Sequence, residues 1–151
     1  MLYVIIGILL LGTDIATKLL AIECLKPIDT FPIWEGVFHL TYVENRGAAF
    51  GIMQGGRVFF ILISLIIIGA IFYFAKRYKN RSKLLDWGLT LITAGALGNL
   101  LDRIFRGFVV DFFDFCLIDY PVFNMADIFV CLGAGLLAIY VIFVEGKNNE
   151  D

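Results

Sequence analysis

Histidine and serine are nearly missing from this chain. His39 is the one histidine among 151 residues, and Ser64 and Ser82 are the two serines. Ser64 sits inside an apolar run, Ser82 in a basic stretch after it, and His39 in a segment expected across the membrane from Ser82. A Ser-His-Asp triad therefore has no workable geometry. A Cys-His pair of Cys24 or Cys116 with His39 is conceivable, but no local signature supports it. The three cysteines are odd in number and lack C-x-x-C spacing, which implies neither a disulfide framework nor a metal site. Zinc takes three or four ligands, usually His or Cys, and one His does not suffice. No metal and no cofactor are expected. Neither G-x-x-x-x-G-K-[ST] nor G-x-G-x-x-G occurs. A net charge of −2 gives no sign of nucleic-acid binding. Acids, amides and one arginine are left to carry any chemistry.

Apolar side chains are abundant. They make up 60% of the residues, 15 of them Phe, and mean hydropathy is +0.88. Soluble domains hold about 45–50% apolar residues, so a membrane protein is expected. The length fits a single domain, 1–151.

Residues 2–22 form the first candidate span. It has no basic leader and no small-x-small cleavage site, so a retained helix is expected rather than a signal peptide. Asp14 and Lys18, four apart, share a helical face and can pair. Residues 23–56 are too polar and broken to span. Within them Phe38, Leu40 and Tyr42 alternate with His39 and Thr41, which suits a half-buried strand. A turn over 44–47 and a return strand over 48–53 would complete a small sheet on the membrane surface. Residues 58–75, 84–101 and 126–144 are three further spans. The loop 76–83 holds five basic and no acidic residues, which places it in the cytoplasm. Loops 23–56 and 102–125 belong on the other side. The expected fold is all-α, with four transmembrane helices, both termini cytoplasmic, and a small extracytoplasmic sheet and loop region.

That topology gathers the polar residues at one end of the bundle. Asp102 and Arg103 end the third helix, Asp111 follows in the loop, and Asn124 and Asp127 open the fourth helix. Asp14 lies about 18 Å along the first helix, past its middle toward that end. Plainer roles exist for each. Asn124 can be a helix cap with Asp127 favoured in the first turn. Asp14 with Lys18 can be a polar lock. Asp114 and Asp119 read as surface acids, and His39 as an exposed or satisfied residue. Asp111 is flanked by Val109-Val110 and Phe112-Phe113, which argues for partial burial. Two carboxylates brought together cannot both ionise easily, and that is what an aspartic hydrolase needs.

Five blocks now stand in order: Asp14-x-x-Thr17-Lys18, Asn45-x-Gly47-Ala48-Ala49-Phe50, Gly95-Ala96-Leu97-Gly98-Asn99-x-x-Asp102-Arg103, Val110-Asp111-Phe112 and Phe123-Asn124-x-Ala126-Asp127. Together they resemble the lipoprotein signal peptidase (signal peptidase II) family over nearly the whole chain. Ala94 stands where another glycine is expected, and the tail lacks the expected basic residues. The resemblance implies an intramembrane aspartic endopeptidase of the bacterial cytoplasmic (inner) membrane. It would cut diacylglyceryl-modified prolipoproteins before the lipidated cysteine, with its site toward the outer leaflet. Asp111 and Asp127 match the catalytic pair. Asp14, Asn45, Asn99, Arg103 and Asn124 match positions that shape or support the substrate site, with Lys18, Gly47 and Asp102 in the same motifs. Membrane lipid and globomycin-type inhibitors are the implied partners, and a monomer is expected.

Two other classes remain. A small proton-coupled transporter would depend on Asp14 and leave Asp111 expendable. A structural membrane subunit would tolerate Asn at every acid.

Overall fold

The computed structural model describes residues 1–47, 55–77 and 82–145. Among these residues, four helices are long and apolar enough to cross a membrane. They are α1 (Leu2–Cys24), α2 (Arg57–Arg77), α3 (Lys83–Phe105) and α4 (Met125–Tyr140). The last continues through a wider π turn, Val141–Glu145. The 21 residues of α2 reach about 30 Å, the thickness of a hydrocarbon core. Apolar on all sides, α2 buries only Ile68. That suits a helix whose solvent is lipid.

α3 is the helix the others pack on, touching α1, α2 and α4. It is the least apolar span, with a mean hydropathy of 1.3 against 2.0 to 2.8 for the rest, and the most buried. Its polar groups therefore face protein. Small residues let α4 come close. A Cβ built on Gly133 would lie 2.7 Å from the Gly88 carbonyl oxygen, and one on Gly95 would overlap the Ala126 carbonyl. Glycines placed for close helix approach are thus used for it.

An antiparallel sheet caps one end of the bundle in the order β1 (Thr30–Trp34), β2 (Phe38–Asn45), β3 (Val109–Asp114). The alternation at 38–42 does mark a strand. Its observed neighbours, however, are β1 and β3, and the expected return strand at 48–53 lies outside the described residues. β3 comes from what reads as a loop, because Val109, Val110 and Phe112 are buried along with Asp111 and show no alternation. Val110 and Phe112 pack with Ala21 and Leu25 at the end of α1. The sheet is thereby tied to the membrane helices.

α3 also runs a turn beyond the expected 101, keeping Asp102 and Arg103 inside the helix. Buried ion pairs hold Asp102 there. Gly107, at φ +85°, ends the run as its N–H and that of Arg106 both bond the Asp102 carbonyl.

Candidate active site

The end of α1 and the start of α4 meet the sheet around one polar cluster. Asp14 and Asp102 are both buried there, with Lys18 between them. A lysine ammonium has three protons and no acceptor. Lys18 Nζ meets Asp14 Oδ2 at 2.9 Å, Asp102 Oδ2 at 3.2 Å and Asn99 Oδ1 at 2.9 Å. Two buried carboxylates with one ammonium would leave excess negative charge. Arg106 supplies a second cation to Asp102. The Val110 N–H (3.1 Å) donates to Asp102, and the Ala126 N–H (2.9 Å) to Asp14. Asp14 therefore caps α4 from another helix. Gly98 makes room for it, since a Cβ there would strike the carboxylate.

The cluster orients three asparagines. The Asn99 oxygen must face Lys18, so its Nδ2 is turned to Asp127 Oδ1 at 2.8 Å. The Asn45 oxygen accepts from the Gly47 N–H at 2.9 Å, and its Nδ2 donates to Asp111 Oδ2 at 2.9 Å. The Asn124 oxygen accepts from the Asp127 N–H at 3.0 Å, and its Nδ2 donates to Asp111 Oδ1 at 2.5 Å. The Asp127 carboxylate returns the cap, accepting from the Asn124 N–H at 3.2 Å. Each amide oxygen is occupied by a fixed donor, so each amide nitrogen is left for a carboxylate. An aspartate at any of the three positions would instead add a like charge.

Asp111 and Asp127 line one cavity of about 260 Å³ with Asn45, Gly47, Asn99 and Arg103. Asp111 is only 2% exposed. Burial, and then the Asp127 charge, push its carboxyl up to about 7 against the opposing pull of Asn45, Asn124 and Lys18. Arg103 adds positive charge near both acids. It donates to the Gly47 carbonyl at 3.3 Å and lies 4.9 Å from the centroid of the Phe60 ring. A groove of about 310 Å³ lies elsewhere, between α1, α2 and α3. Its walls are overwhelmingly apolar and hold Asp86 alone among acids, so the smaller cavity has the chemistry.

The sequence-chosen residues thus fall into two sets. Asn45, Gly47, Asn99, Arg103, Asp111 and Asp127 line the cavity, while Asp14, Lys18, Asp102 and Asn124 stand behind its wall. Asp114 bonds Thr41 at 2.7 Å, away from the cavity. Sequence reasoning missed Arg106, although its i,i+4 spacing from Asp102 was a usable signal. It also missed Arg57, whose guanidinium donates to the Arg103 and Ile104 carbonyls at 2.8 and 2.9 Å and closes the end of α3. Nothing local to Arg57 announces that contact.

Known proteins of similar sequence and fold identify the family. The lipoprotein signal peptidase of Clostridioides difficile (strain 630) is 47% identical over 152 residues, covering 99% of this chain and all of the relative. That of Halothermothrix orenii is 47% identical over 93% of this chain and 94% of its own length. A bacterial membrane enzyme solved by the in meso method at 2.3 Å resolution superposes with a TM-score of 0.86 at 32% identity, over 99% of this chain and 91% of that one. Residues 6–143 match the family described as Signal peptidase (SPase) II. The protein is a multi-pass membrane peptidase and belongs to the signal peptidase II family.

Proposed function

We propose that this peptidase is an aspartic endopeptidase with Asp111 and Asp127 as its catalytic pair. It removes the signal peptide from diacylglyceryl-modified prolipoproteins, cutting before the lipidated cysteine. The observation that carries the reading is the convergence of two carboxylates from different elements on one cavity, each held by asparagines that can only donate to it. The substrate class rests on relatives named lipoprotein signal peptidase.

The pair holds one proton between its members near neutral pH, because burial and like charge oppose double ionisation. The ionised member takes a proton from a water lodged between the two. The protonated member donates to the scissile carbonyl oxygen as the tetrahedral oxyanion forms. Return of a proton to the leaving amine completes hydrolysis. Arg103, beside both acids, holds negative charge in the site and steadies the Asn45–Gly47 segment. The lipid chains stay in the bilayer while the peptide crosses the cavity.

The basic loop 76–83 supports cytoplasmic termini and a site in the outer leaflet. Globomycin-type compounds are expected to compete for this cavity, and the enzyme to act as a monomer. The proton-coupled transporter reading loses ground, since Asp14 is fully buried, one oxygen accepting the Ala126 N–H and the other ion-paired with Lys18.

The test is cleavage of a lipid-modified prolipoprotein by purified protein in detergent, with Asp111→Asn, Asp127→Asn and a chelator arm. Wild type should cut, chelator should not matter, and both variants should lose at least about 10³-fold in turnover, by the scale of lost general acid–base catalysis. Near-wild-type cleavage by either folded variant would sink the assignment.

A further inference from the structure

His39 is far in sequence from Asp114 and Cys116 but lies beside them in the fold. His39 and Asp114 are direct partners in the β2–β3 ladder, and Cys116 opens the short 3-10 turn Cys116–Ile118 just beyond. One ligand atom from each lies within 4.8 Å of the other two, and all three residues are half-buried. None of the three lines the cavity.

We propose that His39, Asp114 and Cys116 bind a zinc-type divalent cation that clips β2 to β3. The donor set is imidazole, carboxylate and thiolate, which suits a tetrahedral, borderline-soft ion with water as fourth ligand. Zinc bonds of about 2.0–2.3 Å put tetrahedral ligand atoms about 3.3–3.8 Å apart. Closing from 4.8 Å takes roughly 1 Å of movement, a distance side-chain rotation can cover. Thr41 already donates to Asp114 Oδ2 at 2.7 Å and leaves Oδ1 for the ion. The oriented carboxylate is the arrangement a ligand's outer partner provides. His39 Nε2 accepts the Gly36 N–H at 3.2 Å. That bond is given up on binding, and because Gly36 is exposed water takes its place. The Cys116 thiol, pushed up by burial and by Asp114, releases its proton to solvent as the sulfur bonds the metal.

The consequence is mechanical. β2 ends in Asn45 and β3 carries Asp111, so an ion between them fixes the strands that build one side of the cavity. The ion holds structure and takes no part in hydrolysis, so this inference does not depend on the catalytic assignment.

The experiment uses the whole protein in detergent, without a polyhistidine tag, stripped with chelator and titrated with Co²⁺ and Zn²⁺. One equivalent of Co²⁺ should give tetrahedral d–d bands and a thiolate-to-cobalt charge-transfer band. Cys116→Ser should remove the charge-transfer band, and His39→Ala should weaken binding at least about tenfold, one lost ligand being a large share of a three-ligand site. Zinc should raise the melting temperature of wild type and leave both variants unmoved. Peptidase activity measured cold should be the same with and without zinc. Absence of the charge-transfer band, or zinc stabilisation of either variant equal to that of wild type, would overturn the proposal.

Discussion

Asp111 shows how the proton proposed for catalysis also bears on stability. Its folded pKa of about 7 lies above its ordinary 3.8, so the folded state binds its proton more tightly than the unfolded chain does. The resulting stabilisation is complete below the unfolded value and is lost as pH rises through about 7. The span corresponds to something on the order of 4 kcal/mol. Above neutrality the charged form weighs against the fold. Asp111→Asn removes that charge and is expected to melt higher than wild type at about pH 8, where wild-type Asp111 is ionised. In the proposed mechanism activity follows the same proton. Once the pair loses it, no acid remains for the carbonyl oxygen, so kcat/KM should fall as pH rises through about 7. A rate profile flat across neutrality would show that Asp111 does not supply the proton.

Lys18 makes the complementary point about buried charge. Removing one partner from a buried ionic cluster costs roughly 3–5 kcal/mol, because the others are left uncompensated. Here the loss would also leave the Asn99 oxygen held by Asn124 Nδ2 alone, at 3.2 Å, loosening the amide that faces Asp127. The sequence allowed Asp14 to be read as a lock on Lys18, and that pair is present. It did not show that the same ammonium meets Asp102 and Asn99, because those contacts join helices 81 or more positions apart.

At the scale of elements, α4 is positioned by its N-terminus. Asn124 and Asp127 form a reciprocal capping box, and Asp14 takes the Ala126 N–H. The cap and the candidate site are one object, so the plain reading of Asn124 holds and the functional one is compatible with it. The α3–α4 contact sets how far Asn99 stands from Asp127. Gly95→Ala places a Cβ against the Ala126 carbonyl and 2.8 Å from Val130 Cγ2. Backbone cannot yield as a flexible side chain can, so the helices must part. Overpacking of this kind costs about 1–3 kcal/mol, and the 2.8 Å bond from Asn99 to Asp127 lengthens with it. The variant is expected to lose at least tenfold in kcat, as about 1 Å of misplacement can cost 10²-fold. Gly12→Ala, where a Cβ meets nothing within 4 Å, should leave kcat unchanged. Equal rates for the two variants would separate helix spacing from catalysis. The glycines of α3 were legible as close-packing residues. Their particular partners were not, since periodicity fixes a face and says nothing of the helix opposite.

For the whole molecule, the membrane character and four spans were plain in the sequence, because long apolar runs with few charges have few other uses. β3 was not. A strand buried on both faces loses the alternation that identifies strands, and Asp111 within it reads as a loop acid. The zinc-ligand set was hidden for a related reason: His39 meets Asp114 only through the register of β2 on β3. Orientation in the bilayer is the remaining consequence of the charge pattern, and it has a direct test. Cys24 ends α1 at the sheet side and is exposed, whereas Ser82 caps α3 at the opposite end. In a Cys116→Ser background, a membrane-impermeant thiol reagent applied to intact spheroplasts should label Cys24. A cysteine introduced as Ser82→Cys in a background with Cys24→Ser and Cys116→Ser should label only after permeabilisation. Cys131 is exposed and lines the cavity, so it is replaced by serine in both backgrounds. The reverse pattern would put the two carboxylates on the cytoplasmic side, where an exported lipid-modified precursor no longer presents its cleavage site.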